Sequence, residues 1–181
     1  MPPSMDVIEA IHTRRSIRAY QAKPVDPDLI EQIILDAAQA PPPTAAQPPL
    51  TFNVILGADR IAAYGETAMS HARDNHPPGP GWSWLDRPGF KVFWNAPAVI
   101  IISGPPDDCI RAGQNLMLSS HARGLGTCWV GAPMLWLRTP AAKTELAIPA
   151  ALKPAVAMCL GYAQIIPEPP ARGVPVIIWR S

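Results

Sequence analysis

Three arginines and a serine share one short stretch of the chain: Arg14, Arg15, Ser16 and Arg18, within residues 12–20, HTRRSIRAY. A guanidinium is a planar fork of donors that meets two phosphate oxygens at once. A serine hydroxyl beside it can donate to a phosphate or a sugar oxygen. The stretch is a candidate anion cradle. The competing reading is a solvated helix end, because an arginine cluster alone is a weak signal.

Other residue types capable of chemistry are dispersed. Cys109, Cys128 and Cys159 form no CxxC pair and lie in apolar or helical runs, where a thiol serves as a small buried hydrophobe. His12, His71, His76 and His121 show no metal-ligand spacing, so solvated or core histidines and no metal site are expected. Asp107 and Asp108 open a helical run, where carboxylates complement the helix dipole. Residues 124–131, GLGTCWVG, place glycines before a strand and not after one, which rules out a dinucleotide fingerprint. Trp82, Trp84 and Trp94 are candidates to stack on an aromatic ligand or to pack a loop or an interface. Trp129 and Trp136 read as core anchors. No nucleophile–base pair is evident.

The elements that must position these groups can be read in outline. The chain of 181 residues is expected to form one domain, residues 1–181, since domains commonly run to roughly 100–200 residues. A net charge of +1 offers no field to recruit nucleic acid or an anionic membrane. The opening MPPSMDVIEA lacks the basic and apolar regions of a signal peptide. The apolar runs are too short to span a bilayer, and the cysteine usage suits a reducing, cytoplasmic setting. The 24 prolines cluster between periodic segments and punctuate loops.

Ser4 is expected to cap a first helix, with Asp6 in its first turn and Val7, Ile8 and Ile11 as its apolar side. Asp26 and Pro27 mark the N-cap and first position of a second helix, with Ile30, Ile33, Ile34, Ala37 and Ala38 on one face. Residues 51–56 read as a strand and 58–74 as a helix. Residues 75–89, NHPPGPGWSWLDRPG, read as a long loop, the kind that often serves as a lid or binding loop. Residues 97–103 are a buried strand. Residues 107–123 are a helix closed by Gly124, whose Ala112, Gly113, Ser119 and Ser120 would admit another backbone closely. A short strand over 127–131, a helix begun by Thr139 and Pro140, and a buried strand over 156–162 follow. Residues 172–179 are extended, and Pro175 makes them an edge strand or one lent to a partner. The mixture is α+β or α/β.

In this order, the pieces resemble the FMN-dependent nitroreductase family. The matching residues are 14–20 (RRSIRAY), Lys23-Pro24-Val25, Ala40-Pro41 with Gln47-Pro48, Ala96-Pro97-Ala98-Val99, Gln114-Asn115-Leu116, residues 124–131 and Leu160-Gly161-Tyr162. They cover nearly the whole chain. The resemblance implies an α+β fold with a mixed central sheet flanked by helices. It implies a homodimer with FMN between subunits and the C-terminal segment exchanged. Arg14, Arg15, Ser16 and Arg18 would meet the phosphate, ribityl chain and pyrimidine edge of FMN. The loop carrying Thr44, Ala45 and Gln47 would meet the isoalloxazine. Val130, Gly131 and Ala132 would turn backbone N–H groups towards flavin N5, and Arg172 would close on the phosphate. Arg18 is placed near N1 and C2=O, where a cation favours the reduced, anionic flavin. No catalytic side chain is expected, since the flavin carries the chemistry.

The chain departs from the family in that loop. The positions where the family has a serine, an asparagine and a tryptophan fall at Pro42, Ala45 and Pro49. A rim amide is therefore absent, which implies either a retuned flavin or weaker cofactor binding. The implied activity is hydride transfer from NADH or NADPH, through flavin N5, to a nitroaromatic, a quinone or an activated alkene. The alternative is a non-catalytic or degenerate flavin-binding dimer.

Overall fold

The computed structural model describes residues 5–42 and 50–180. Ser4 and the loop residues Thr44, Ala45 and Gln47 lie outside the described residues. Strand β2 (Ala98–Ser103) is the axis of the fold, and all six of its residues are buried. Its β-branched run between Pro97 and Gly104 suits an extended backbone covered on both faces. Fully burying an isoleucine contributes about 1.5–3 kcal/mol, and Ile100, Ile101 and Ile102 are each 0% exposed. β2 pairs antiparallel with β1 (Thr51–Leu56) and with β4 (Pro154–Gly161), and β4 pairs antiparallel with β3 (Gly126–Trp129). The order is β1-β2-β4-β3. A single parallel bridge, Ser16 to Thr127, adds the arginine stretch to the free edge of β3. The α+β class is as expected, and the parallel component of the sheet consists of that bridge.

Alternation along β2 divides the core in two. Ala98, Ile100 and Ile102 face α2 (Pro27–Ala37) and α4 (Pro106–Ala122). Val99 and Ile101 share a cluster with residues of α3 (Ala58–Asn75), α5 (Met134–Leu137) and α6 (Pro140–Glu145). Asp26 caps α2 and Thr139 caps α6, as expected. Ser119 donates to Asp36 at 2.6 Å and Arg123 pairs with the same carboxylate at 2.8 Å, tying α4 to α2.

Several expectations are corrected. The cap of α1 (Val7–Thr13) is Asp6, whose carboxylate accepts from the Ile8 N–H at 2.8 Å. A charged acceptor satisfies an orphan donor and the helix dipole together. Val7, Ile8 and Ile11 are 58%, 58% and 49% exposed, and the one buried residue of α1 is Ala10. This short helix thus turns its smallest apolar residue inwards and its large ones outwards. On α4, Ala112, Gly113 and Ser120 are buried within the chain. A Cβ on Gly113 would lie 3.1 Å from the Trp129 ring, so the close approach is to a side chain of the same chain, not to another backbone. Residues 75–89 contain a 3-10 helix (Pro80–Asp86). α5 is only four residues long, too short for periodicity to announce it. Residues 165–180 make no strand pairing among the described residues, and Val174, Val176, Ile177, Ile178 and Trp179 are exposed. Cys109, Cys128 and Cys159 are buried and free, as expected. Among the described residues no helix is long and apolar enough to cross a membrane.

Candidate anion and cofactor site

The site is built by anchoring one extended stretch. α1 ends at Thr13, and Arg14 leaves it with φ −57° and ψ 136°, so the chain runs out beside β3. The Ile17 N–H donates to the Thr127 carbonyl at 2.8 Å. The Gln164 N–H donates to the Ala19 carbonyl, and the Gln21 N–H to the Tyr162 carbonyl, each at 2.9 Å. Ile17 and Tyr20 are buried, and the Tyr20 hydroxyl donates to the Ile17 carbonyl at 2.7 Å. Two glycines make room for them. A Cβ on Gly126 would overlap the Ile17 side chain, and one on Gly161 would lie 2.6 Å from Pro97 and 2.9 Å from Tyr20. Glycine is required at both for close approach, not for φ.

With Ile17 and Tyr20 turned in, the polar residues face out. Arg14, Arg15, Ser16 and Arg18 line one cavity of about 300 Å³ together with Pro167, Glu168, Pro170 and Arg172. The structure thus brings together five sequence-predicted residues, one of them from the far end of the chain. Among the described residues no carboxylate lies within 4 Å of these four guanidiniums; the ion pairs are Asp108–Arg111 and Asp36–Arg123. Burial, and after it the like charges of Arg172 and Arg15, hold the Arg14 pKa below the usual arginine range. Four guanidiniums with Glu168 as the cavity's one acidic group make a site that favours an anion.

The four arginines are not equivalent. Arg15 donates to the His12 carbonyl at 2.8 Å and the Arg14 carbonyl at 2.9 Å, so its guanidinium satisfies the end of α1. Arg14 is half-buried beside Arg172. Arg18 is exposed, and its guanidinium lies 5.8 Å from the centre of the Trp94 ring. Behind the arginines, the Thr13 hydroxyl donates to the Glu9 carbonyl at 2.7 Å and lies 2.8 Å from His121 Nε2. The hydroxyl has one proton, so His121 Nε2–H is the donor of the second bond. Burial first, then Arg14 and Arg15, hold the His121 pKa below the usual imidazole range.

The turn after β3 divides the three residues assigned to it. The Val130 N–H is spent on the Ala157 carbonyl at 2.9 Å and its side chain is buried, so it has no donor for a cofactor. Of the three, the backbone donors still open in this turn are those of Gly131 and Ala132. Gly131 is exposed and Ala132 half-buried, and no acceptor takes their N–H groups among the described residues. None of the three lines the arginine cavity.

Glu168, Pro167 and His121 were missed as site residues, and Trp94 was named only as a candidate to stack on a ligand, not as a partner of Arg18. Trp94 was one of several equivalent tryptophans, and residues 167–170 read only as a proline cluster. His121 follows Leu116 and Met117 on α4, where nothing marks it as neighbour to an arginine more than a hundred residues away. Trp82 and Trp84 pack a loop core: His76, Trp82, Trp84, Phe90 and Trp94 form a continuous aromatic chain with ring centroids 5.2–5.8 Å apart. Trp136 is buried in the core half that holds Val99 and Ile101, and Trp129 packs against the other half, with Ile100 and Ile102, so both anchor the core as expected.

The sequence profile of the nitroreductase family matches residues 11–162. The chain belongs to the nitroreductase family. A relative from Methanothermobacter thermautotrophicus, provisionally named NADH dehydrogenase/NAD(P)H nitroreductase, is 32% identical over 168 residues, 87% of this chain and 78% of the relative. Among solved structures, a nitroreductase with bound FMN from Bacteroides fragilis superposes with a TM-score of 0.84. It is 22% identical and is covered fully by 97% of this chain. A nitroreductase with bound FMN from Desulfitobacterium hafniense gives a TM-score of 0.80 at 18% identity, over 96% of this chain and 100% of that one. The nitroreductase fold of this family member is therefore secure at two levels, sequence and shape.

Proposed function

We propose that this chain is an FMN-dependent oxidoreductase, working as a homodimer, that takes a hydride from NADH or NADPH and delivers it to a small electron-poor acceptor. Nitroaromatics, quinones and activated alkenes are the acceptor classes. The observation that carries the reading is the cavity in which Arg14, Ser16, Arg18 and Arg172 converge without a carboxylate paired to them. A phosphate monoester fits it, because it would neutralise like charges that already press on Arg14. When bound, FMN supplies two-electron hydride chemistry.

Each residue then has a task. Arg14 and Arg172 neutralise the phosphate through charge-assisted hydrogen bonds. The Ser16 hydroxyl donates to a phosphate or ribityl oxygen. Arg15 holds the end of α1 and adds positive potential from behind. Arg18 lies farther along the stretch, where its charge stabilises negative charge gathered on the pyrimidine edge. Gly131 and Ala132 keep unspent N–H donors for the opposite rim. The homodimer is supported by the exposed apolar residues of α1 and of the C-terminal segment, since a large exposed apolar patch on a soluble protein usually marks an interface.

The test begins with the visible absorption spectrum of the purified protein and identification of the extracted flavin, followed by NADH and NADPH oxidation with a nitroaromatic and with a quinone. A yellow protein that oxidises neither nucleotide with any acceptor would favour the degenerate flavin-binding dimer. A colourless protein that takes up no added FMN would refute both readings.

A further inference from the structure

The ring that meets Arg18 stands on constrained backbone. Trp94 and Asn95 have φ of 53° and 54°. Asparagine tolerates the left-handed region, but a bulky residue there is an outlier. Such conformations persist only where the surroundings over-determine them. Here they do. The Trp94 N–H donates to the Lys91 carbonyl at 3.2 Å and the Ala96 N–H to the Phe93 carbonyl at 2.9 Å. The Cys159 thiol donates to the same Phe93 carbonyl at 3.2 Å, and Val92 and Phe93 are buried.

The constrained turn aims one ring. Phe90 meets Trp94 edge-on at 5.2 Å and 77°, and Trp84 backs Phe90 at 5.3 Å. Trp94 is thereby braced from behind while the Arg18 guanidinium lies over it at 5.8 Å. Arg18 otherwise has an exposed head with no carboxylate within 4 Å among the described residues, and the neutral Cys128 thiol and Tyr20 hydroxyl are near it. A long side chain in that situation samples many rotamers. A braced aromatic face removes that freedom and leaves the charge intact.

We propose that Trp94 is a positioning residue: its braced ring holds the Arg18 guanidinium at the anion cavity and, through Arg18, tunes the group bound there. The effect on a bound group rests on the flavin reading given above; the placement of Arg18 does not.

Two measurements separate these. In the flavin-free protein, the Arg18 Nε–H resonance should be displaced by the ring current in wild type and in Trp94→Phe. It should return to the position of a solvated arginine in Trp94→Leu. A resonance unmoved by Trp94→Leu overturns the proposal whether or not FMN binds. In the FMN-loaded protein, Trp94→Leu should lower the flavin midpoint potential in the same direction as Arg18→Gln and weaken FMN by about two- to fivefold. Trp94→Phe should restore most of both. In an Arg18→Gln background, Trp94→Leu should add nothing further, because a residue acting only through another shows full coupling in a double-mutant cycle. Additive effects would mean that Trp94 acts by some other route. A wild-type protein that takes up no FMN would sink the flavin reading, with the resonance still deciding where Arg18 is held.

Discussion

Two extended segments wall the same cavity and are held in opposite ways. Residues 14–21 are pinned from inside the chain by backbone bonds to Thr127, Tyr162 and Gln164 and by side chains seated on Gly126 and Gly161. Residues 165–180 supply Arg172 to the cavity, yet Val174 and Val176 are 92% and 89% exposed and Gly173 has nothing within 4 Å of a would-be Cβ. One wall is positioned by the chain's own core. The other carries apolar side chains that find no core in the single chain. In the proposed homodimer, an anion site with one internal wall and one wall held by the second copy would couple ligand binding to assembly.

The sharpest way to break this comparison is to end the chain at residue 171. The shortened protein should sediment as a folded monomer and lose at least the Arg172 contact. Charged hydrogen bonds are worth about 1.5–3 kcal/mol, so FMN should bind at least about tenfold more weakly. A shortened protein that remains a dimer with unchanged FMN affinity would show that the tail holds neither.

Arg14→Ala tests the internal wall. It should cost about 1.5–3 kcal/mol of FMN affinity, whereas Arg60→Ala, outside the arginine cavity, should cost nothing measurable in the same titration. Gly126→Ala tests how that wall is seated. The new Cβ overlaps Ile17, and overpacking commonly costs about 1–3 kcal/mol, to be read from urea midpoints. Gly173→Ala in the tail should stay within about 0.5 kcal/mol of wild type. Equal losses at the two glycines would erase the contrast.

The smallest effect is the pH dependence from His121. Its folded pKa is depressed. Above the ordinary imidazole value of about 6.5 the ring is neutral in both states and stability is unaffected. As pH falls below it, the unfolded chain binds a proton that the folded chain resists, so stability declines until the folded ring protonates as well. His121→Gln should make the decline between about pH 7 and 5 shallower. An unchanged slope would place another group in that window.

What the sequence made legible follows from where each signal resides. α2 and α6 were readable because Asp26 with Pro27, and Thr139 with Pro140, act locally. β2 was readable because a continuous apolar run needs cover on both faces. The arginine stretch was readable by residue type, and its partner Arg172 only through resemblance. The role of Arg15 as a helix-end donor was not legible, because side-chain direction decides it and sequence does not. Nor was the exposure of Val7, Ile8 and Ile11, which have helical spacing suitable for burial but no surface among the described residues to cover them. Val130 shows the same limit from the other side: a turn was foreseen, but which of its N–H groups the neighbouring strand consumes depends on register.

The inner wall has a consequence in time. Gln21 and Ala163, joined by a side-chain hydrogen bond, are 142 residues apart, and Thr13 and His121 are 108 apart. The arginine stretch therefore leaves the ribosome more than a hundred residues before the segments that seat it. Long-range contacts of this kind form late, because loop closure must precede their reward. Until residues near 164 have emerged, Arg14, Arg15 and Arg18 remain unseated, and the cavity that gathers them with Arg172 forms only after that.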